Sequence, residues 1–407
     1  MPKLVQINST ANWGSTGRIA EQIGLAAMGA DWESYIAYGR YANPSESRLI
    51  KIGSKIDVLW HWLMTRLFDC HGLASRIATR RLVRQLKRIK PDVVHLHNIH
   101  GYYLNYKILF DYLNSTNIPV VWTLHDCWAF TGHCAHFVEL GCEKWRDGCR
   151  KCKGLSLYPA SLCWDSSARN HKLKTALFTA NRNLHIVAVS EWLQTFVKGS
   201  KLRSADSRVI RNGIDLSNFK PVAGGADVPK LRIIGVASAW TKSKGLLDFY
   251  ALRERLDKTK YEIVLVGLSK EQKRDLPQGI IGIERTNSVA QLAELYSQAL
   301  VFLNLTYADT FPTTNLEAMA CGTPVVTYQT GGSAESVTPQ TGYVVAQGDV
   351  DGVCRAIEEI AQKGKTAYVE ACRRRAEECF DKAKGSDQYL DLYNELLNKN
   401  NIRYVNI

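Results

Sequence analysis

Short β-branched runs alternate with amphipathic stretches along almost the whole chain. KLVQINS, PDVVHLH, PVVWTLHD and HIVAVS in the first half, then RIIGVAS, YEIVLVG, ALVFLNLT and PVVTY in the second, are apolar runs bounded by polar breaks. That is the pattern of parallel strands covered on both faces. RIAEQIGLAAMG, SVAQLAELYSQA and DVDGVCRAIEEIAQK lie between them with helical periodicity. The strand–helix–strand rhythm occurs twice and predicts an α/β protein of two Rossmann-like, doubly wound parallel sheets. PVAGGADVPK, residues 221–230, breaks both periodicities and reads as the linker. The expected division is a first domain over 1–220, a second over 229–385, and a closing helix and tail over 386–407, able to pack on either domain. In such a pair of sheets the C-terminal strand ends are expected to face a shared ligand cleft.

Length and charge narrow this picture. A chain of 407 residues is long for one core and suits two domains. MPKLVQINST runs straight into a strand pattern without a basic leader, so a cytoplasmic location is expected, and no stretch is apolar enough to span a bilayer. Eleven cysteines then read as thiols or metal ligands before disulfides. The formal charge of +13 points to an anionic partner: a nucleotide, a pyrophosphate-linked substrate, a phospholipid surface or nucleic acid.

Candidate chemistry gathers in a few places. ALVFLNLT reads as a strand, ADTFPTT as a loop and NLEAMACG as a helix ended by Gly322, so the loop delivers free amides at a helix N-terminus. Asp309 in that loop and Glu317 in the helix are suited to accept hydrogen bonds from sugar or ribose hydroxyls. The plain alternative makes Asp309 a cap and Glu317 a solvated first-turn acid. His125 and Asp126 end the strand of PVVWTLHD, where a histidine is either a satisfied core residue or a cleft residue, and Asp126 either orients it or meets acceptor hydroxyls. Lys244, beside Gly245, is a phosphate ligand or a surface lysine. Asp349 and Asp351 read as first-turn acids of a helix, not as a metal site. Cys134, Cys142, Cys149 and Cys152 lie within an insertion at about 127–163; four thiolates there suit a structural zinc, and the alternative is reduced thiols or one disulfide. The segment 76–90 is strongly basic and follows the aromatic VLWHWLMTRLF; together they suit docking on an anionic membrane, or else packing on the first sheet with solvated arginines.

LHNIHGYYLN, WTLHDCWAFTGHC, VIRNGID, DTFPTTNLEAMACGTPVV and TGGSAE resemble the retaining glycosyltransferases of family 4, of GT-B fold, in the branch of colanic-acid and other exopolysaccharide transferases. Similar cysteines recur in that branch. The resemblance runs from the first strand to about residue 350, and Asp309 and Glu317 fill the two acidic places of the family's E-x7-E motif. It implies that Glu317 holds the nucleotide ribose, Asp309 meets the donor sugar, the amides of Thr313 and Thr314 approach sugar or phosphate, and Lys244 neutralises the diphosphate. It sets His125 near the reacting sugar, and Gly14 and Gly17 where backbone comes close to phosphate.

Three departures from the family pattern stand out. The usual Arg before the Lys is missing, and Lys242 lacks its planar fork. Asp309 is one methylene short of Glu, and Pro312 removes an amide donor where relatives have Gly. The implied activity is transfer of a sugar from a nucleoside diphosphate sugar to a saccharide, carried on a lipid, in exopolysaccharide, capsule or O-antigen assembly. No catalytic cofactor and no nucleic acid are expected, and any membrane contact would be peripheral, on the inner face. A nucleotide-sugar epimerase and a basic nucleic-acid-binding protein are the rival readings; acceptor dependence excludes the first, and indifference to nucleotide sugars marks the second.

Overall fold

The structure, a computed structural model, describes residues 1–222 and 230–405, with side chains to Lys399. Residues 223–229, most of the stretch read as a linker, lie outside the described residues. The chain divides into two compact units: Met1–Arg211 together with Gly385–Ile407, and Asn212–Lys384.

Among the described residues the strands of the first unit are β1 (Lys3–Asn8), β2 (Glu33–Tyr38), β3 (Arg48–Lys51), β4 (Val93–Leu96), β5 (Val120–Leu124), β6 (Leu184–Ala188) and β7 (Asp206–Val209). They form one parallel sheet in the order β3-β2-β1-β4-β5-β6-β7. Every residue of β4 and β5 is buried, as their unbroken apolar runs require. The edge strand RLIK is largely exposed and DSRV is mostly half-buried, and neither carries such a run.

The second unit holds β8 (Leu231–Val236), β9 (Tyr261–Val266), β10 (Ile280–Ile283), β11 (Val301–Asn304), β12 (Val325–Tyr328) and β13 (Gly342–Val345), parallel in the order β10-β9-β8-β11-β12-β13. The architecture is therefore the expected pair of doubly wound sheets. In each, strand order reverses beside the first strand: between β1 and β4, and between β8 and β11. Loops leaving adjacent strands on opposite sides of such a switch diverge and leave a crevice at the strand ends. Gly14 follows β1, Lys244 follows β8 and Asp309 follows β11, while His125 and Asp126 follow β5, one strand further from the first switch.

The C-terminal helix Lys382–Val405 belongs to the first unit from Gly385 onward. Its Tyr389, Leu392, Tyr393 and Leu396 join Leu4, Ile23, Val93, Val121 and Val187 in one buried cluster. Tyr393 Oη lies 2.6 Å from His95 Nδ1, and Tyr389 Oη lies 2.9 Å from Thr123 Oγ1. Burial holds the His95 pKa well below the ordinary value, so this imidazole is neutral.

Candidate active site

In the second unit the chain leaves β8 into a short turn, Lys242–Lys244, and leaves β11 into the loop that carries Asp309. The amide of Tyr307 donates to the Ser243 carbonyl at 2.7 Å, and Thr306 Oγ1 donates to the same oxygen at 3.1 Å. These bonds zip the two loops together. Gly245 permits the approach: its φ is 73°, and a Cβ there would meet the Leu305 carbonyl oxygen at 2.1 Å. Lys244 Nζ consequently donates to Asp309 Oδ2 at 2.7 Å. On the other side, a Cβ on Gly331 would lie 1.7 Å from the Asp309 carbonyl oxygen, so the TGGS turn closes directly over this loop.

The helix Thr313–Ala320 follows. Its N-cap is Pro312, which makes no side-chain cap, so the first amides, including those of Thr313 and Thr314, take no hydrogen bond from a capping side chain. Asp309 is thus not the helix cap of the plain alternative; it is the partner of Lys244. Asn315 anchors the first turn: its Nδ2 donates to Ser336 Oγ at 2.9 Å and Ser333 Oγ at 3.1 Å, while its Oδ1 accepts from Asn304 Nδ2 at 2.8 Å. Further along the same helix Glu317 accepts from the buried Tyr296 hydroxyl at 3.2 Å. Burial, then the Glu317 charge, raises the Tyr296 pKa well above its ordinary value and keeps it a donor. Asp349 caps the helix Val350–Lys363 by accepting from the Gly352 amide at 2.8 Å, and Asp351 accepts from Arg255, as first-turn acids do.

In the first unit His125 and Asp126 follow β5, and His97 follows the adjacent β4. Gln6 Nε2 donates to the Ala20 carbonyl at 2.7 Å, which turns its Oε1 toward His97 Nε2 at 3.0 Å. Burial holds His97 neutral, so its Nδ1 is the acceptor that faces His125 Nε2 at 3.2 Å. Burial also pushes His125 down to about 4, against the pull of Asp126. The relay therefore fixes one tautomer of a neutral His125, with the proton on Nε2. Asp126 Oδ1 accepts from the Trp128 amide at 2.9 Å, and its Oδ2 lies 2.8 Å from His100 Nε2. Burial opposes the carboxylate charge, but His100 and that amide outweigh it and hold Asp126 down to about 2.

Gly14, with φ 67°, opens the helix Gly14–Gly29, whose N-cap Trp13 makes no side-chain cap. A Cβ on Gly17 would press on Thr10 Oγ1 at 2.7 Å, so that glycine lets the post-β1 loop fold against the helix.

Among the described residues no group of three or more His, Cys, Asp or Glu is arranged to hold a metal ion. Cys134 and Cys152 approach to 3.9 Å between sulfurs, with the Cys134 thiol donating and Cys152 brought down to about 6 by it. Cys149 Sγ instead accepts from the Gly132 amide at 3.1 Å. The insertion is held by other means. Phe130, Phe137 and Trp145 pack as an aromatic cluster, and buried Lys174 donates to the carbonyls of Trp128 and Thr131 from above the Trp128 ring. Burial brings that lysine down to about 7. Asp69 accepts from His133 Nδ1 at 2.6 Å and from the Ser166 amide at 2.9 Å.

Residues 23–218 match the family model for Glycosyltransferase Family 4, and residues 230–363 match Glycosyl transferases group 1. The chain carries family 4 and group 1 glycosyltransferase domains. It is 25% identical to the Escherichia coli K12 protein WcaC, a glycosyl transferase named for colanic acid biosynthesis, across 97% of this chain and all of that one. Its GT-B fold matches sucrose-phosphate synthase from Thermosynechococcus elongatus with a TM-score of 0.71 at 17% identity, over 98% of this chain and 100% of the other. Anabaena HepE, solved in complex with UDP-glucose, matches with a TM-score of 0.65 at 14% identity, over 97% and 99%.

Of the residues singled out from the sequence of this glycosyltransferase, Lys244 and Asp309 come into contact, Glu317 lies on the helix that Asp309 precedes, and His125 and Asp126 share one strand end. His97, His100, Gln6 and Tyr296 were missed as partners. The signal for His97 and His100 was available: they follow β4 as His125 follows β5, and the strands are neighbours. Gln6 and Tyr296 gave none, because each acts from a position whose pattern is that of core.

Proposed function

We propose that this glycosyltransferase transfers a sugar from a nucleoside diphosphate sugar to a saccharide hydroxyl, with retention of anomeric configuration, in the assembly of an exopolysaccharide, capsule or lipopolysaccharide. The observation that carries the reading is the contact of Lys244 with Asp309 just ahead of an uncapped helix N-terminus. A cation and free amides suit a diphosphate, and an acid beside them suits the hydroxyls of the attached sugar. The complex of HepE with UDP-glucose and the name of WcaC support the substrate class and the setting.

In this reading Glu317 accepts hydrogen bonds from the ribose while Tyr296 orients it. Lys244 and the amides of Thr313 and Thr314 stabilise charge on the departing diphosphate. The bond from the anomeric carbon to phosphate oxygen breaks, the acceptor oxygen bonds to that carbon on the same face, and the acceptor proton passes to the departing phosphate. His125, neutral at physiological pH, meets the reacting sugar, and Asp126 meets acceptor hydroxyls or steadies the strand end. Gly14 and Gly17 keep the post-β1 loop open to phosphate. The acceptor is a saccharide carried on a lipid.

The test is thermal-shift screening against UDP-, GDP- and dTDP-sugars, followed by transfer to lipid-linked saccharides with NMR of the new linkage. One donor should raise the melting temperature, and its nucleotide should be released only with acceptor present. Glu317→Ala should abolish the shift caused by the nucleotide sugar while leaving binding of inorganic pyrophosphate unchanged. Conversion of the donor without acceptor would replace this reading with an epimerase, and an inverted product would remove the front-face mechanism.

A further inference from the structure

The helix Lys55–Phe68 carries its apolar side chains on the wrong side for a core helix. Ile56, Leu59, Trp60 and Leu63, spaced three and four apart, all face outward, with Ile56 79% and Trp60 56% exposed. A surface helix ordinarily turns that stripe inward. The helix itself is well made. Ser54 and Asp57 form a capping box, and buried His61 ties it to the following turn through Ser75 Oγ at 2.8 Å and the Gly72 amide at 2.9 Å. The stripe is therefore held outward by a rigid mount.

Two neighbouring features extend it. The Leu162 amide donates to the Arg66 carbonyl at 2.7 Å and Ser166 Oγ to the Phe68 carbonyl at 3.0 Å, which fastens the end of the cysteine-bearing insertion to the end of this helix. Leu162, 72% exposed, and Trp164 thereby lie beside exposed Phe68. The next helix, Arg76–Ile89, buries Ala78, Leu82 and Leu86 and exposes Arg76, Arg80, Arg81, Arg84, Lys87 and Arg88. No acid occurs between Cys70 and Pro91, and among the described residues none of those six cations forms an ion pair.

We propose that this face is a membrane-docking surface: the outward stripe of Lys55–Phe68, with Leu162 and Trp164, inserts among the acyl chains of an anionic bilayer while the cations of Arg76–Ile89 meet its headgroups. Charge complementarity selects this occupant. An apolar stripe mounted beside a cationic helix is the arrangement an acidic lipid interface stabilises. A nucleic acid would use the arginines and leave the leucines and tryptophans in water. A second copy docked about a two-fold axis would bring two sets of cations to one interface with no acid on either copy of Arg76–Ile89. The surface stands independently of the transfer chemistry, since binding to a bilayer needs no donor.

The experiment is flotation and tryptophan fluorescence of the full chain with phosphatidylcholine vesicles, with and without about 30 mol% phosphatidylglycerol. Binding should be at least about tenfold tighter to the anionic vesicles and should weaken sharply by about 0.5 M salt. Leu59→Ser with Trp60→Ser, and separately Arg80→Gln with Arg84→Gln, should each lose about tenfold or more in vesicle affinity. All four side chains are exposed, so an unchanged melting temperature should accompany both losses. Equal binding to both vesicle types, wild-type binding by either variant, or a solution dimer that Trp60→Ser dissociates in a protein that ignores vesicles would each overturn the proposal.

Discussion

Replacing Lys244 by methionine keeps most of the side-chain stem and removes its charge. In the free protein the ammonium lies 2.7 Å from Asp309 Oδ2, with the two side chains 35% and 19% exposed. A pair so open to water contributes ~0–1 kcal/mol to stability, so Lys244→Met should shift unfolding little. Binding of a diphosphate is another matter. Two unit charges at ~4 Å attract by about 4 kcal/mol at an effective dielectric near 20. To reach the phosphate, however, the lysine must share or leave Asp309, and that loss is subtracted. The net should approach a charge-assisted hydrogen bond, about 1.5–3 kcal/mol, or roughly 10- to 150-fold in affinity.

Isothermal titration of the wild type and Lys244→Met with the matching nucleoside diphosphate reads this directly. Asp309→Asn is the companion. It removes the competing anion, so the bare diphosphate should bind as tightly or more tightly, while the nucleotide sugar loses the advantage its sugar confers. The reasoning is refuted if Lys244→Met binds diphosphate within about threefold of wild type. It is refuted equally if Asp309→Asn weakens diphosphate and nucleotide sugar alike.

Two further outcomes follow from the first unit. Burial depresses His61 to about 3 and His125 to about 4, so below the ordinary value of 6.5 the unfolded chain takes up protons that the folded chain refuses. Stability should be flat in these groups above that value and fall as pH drops, by up to about 1.4 kcal/mol per unit for each histidine; urea midpoints taken from neutral to acid pH should show His125→Gln flattening the slope. Tyr393→Phe leaves His95 Nδ1 buried without its hydroxyl partner and should destabilise the first unit by about 1–3 kcal/mol, read by urea unfolding, whereas an unchanged midpoint would mean the C-terminal helix is held by its apolar contacts alone.

Both sheets were legible because parallel strands buried on two faces leave unbroken apolar runs, and β4, β5 and β12 are such strands. Edge strands were not: RLIK and DSRV pair on one side only and need no apolar pattern. Asp309 could be named from the strand, loop and helix pattern around it, and Lys244 from the family resemblance. Their mutual contact could not, since it depends on Gly245 and Gly331 closing two loops to within a backbone's width. The packing of the cysteine-bearing insertion was hidden for a related reason: its core is Phe130, Phe137 and Trp145 and its anchors are Lys174 and Asp69, which come together only in the fold.

The sequence by itself determined the two-sheet architecture and the glycosyltransferase resemblance, because strand burial and strand-end position are local or topological properties. The tertiary structure alone decided three things: that the C-terminal helix packs on the first sheet, that Gln6 acts on His125 through His97, and that the stripe of Lys55–Phe68 faces outward. Apolar periodicity says only that a face is water-averse, and the hydrophobic effect has no direction. Which neighbour covers that face is settled by where the remainder of the chain has already packed.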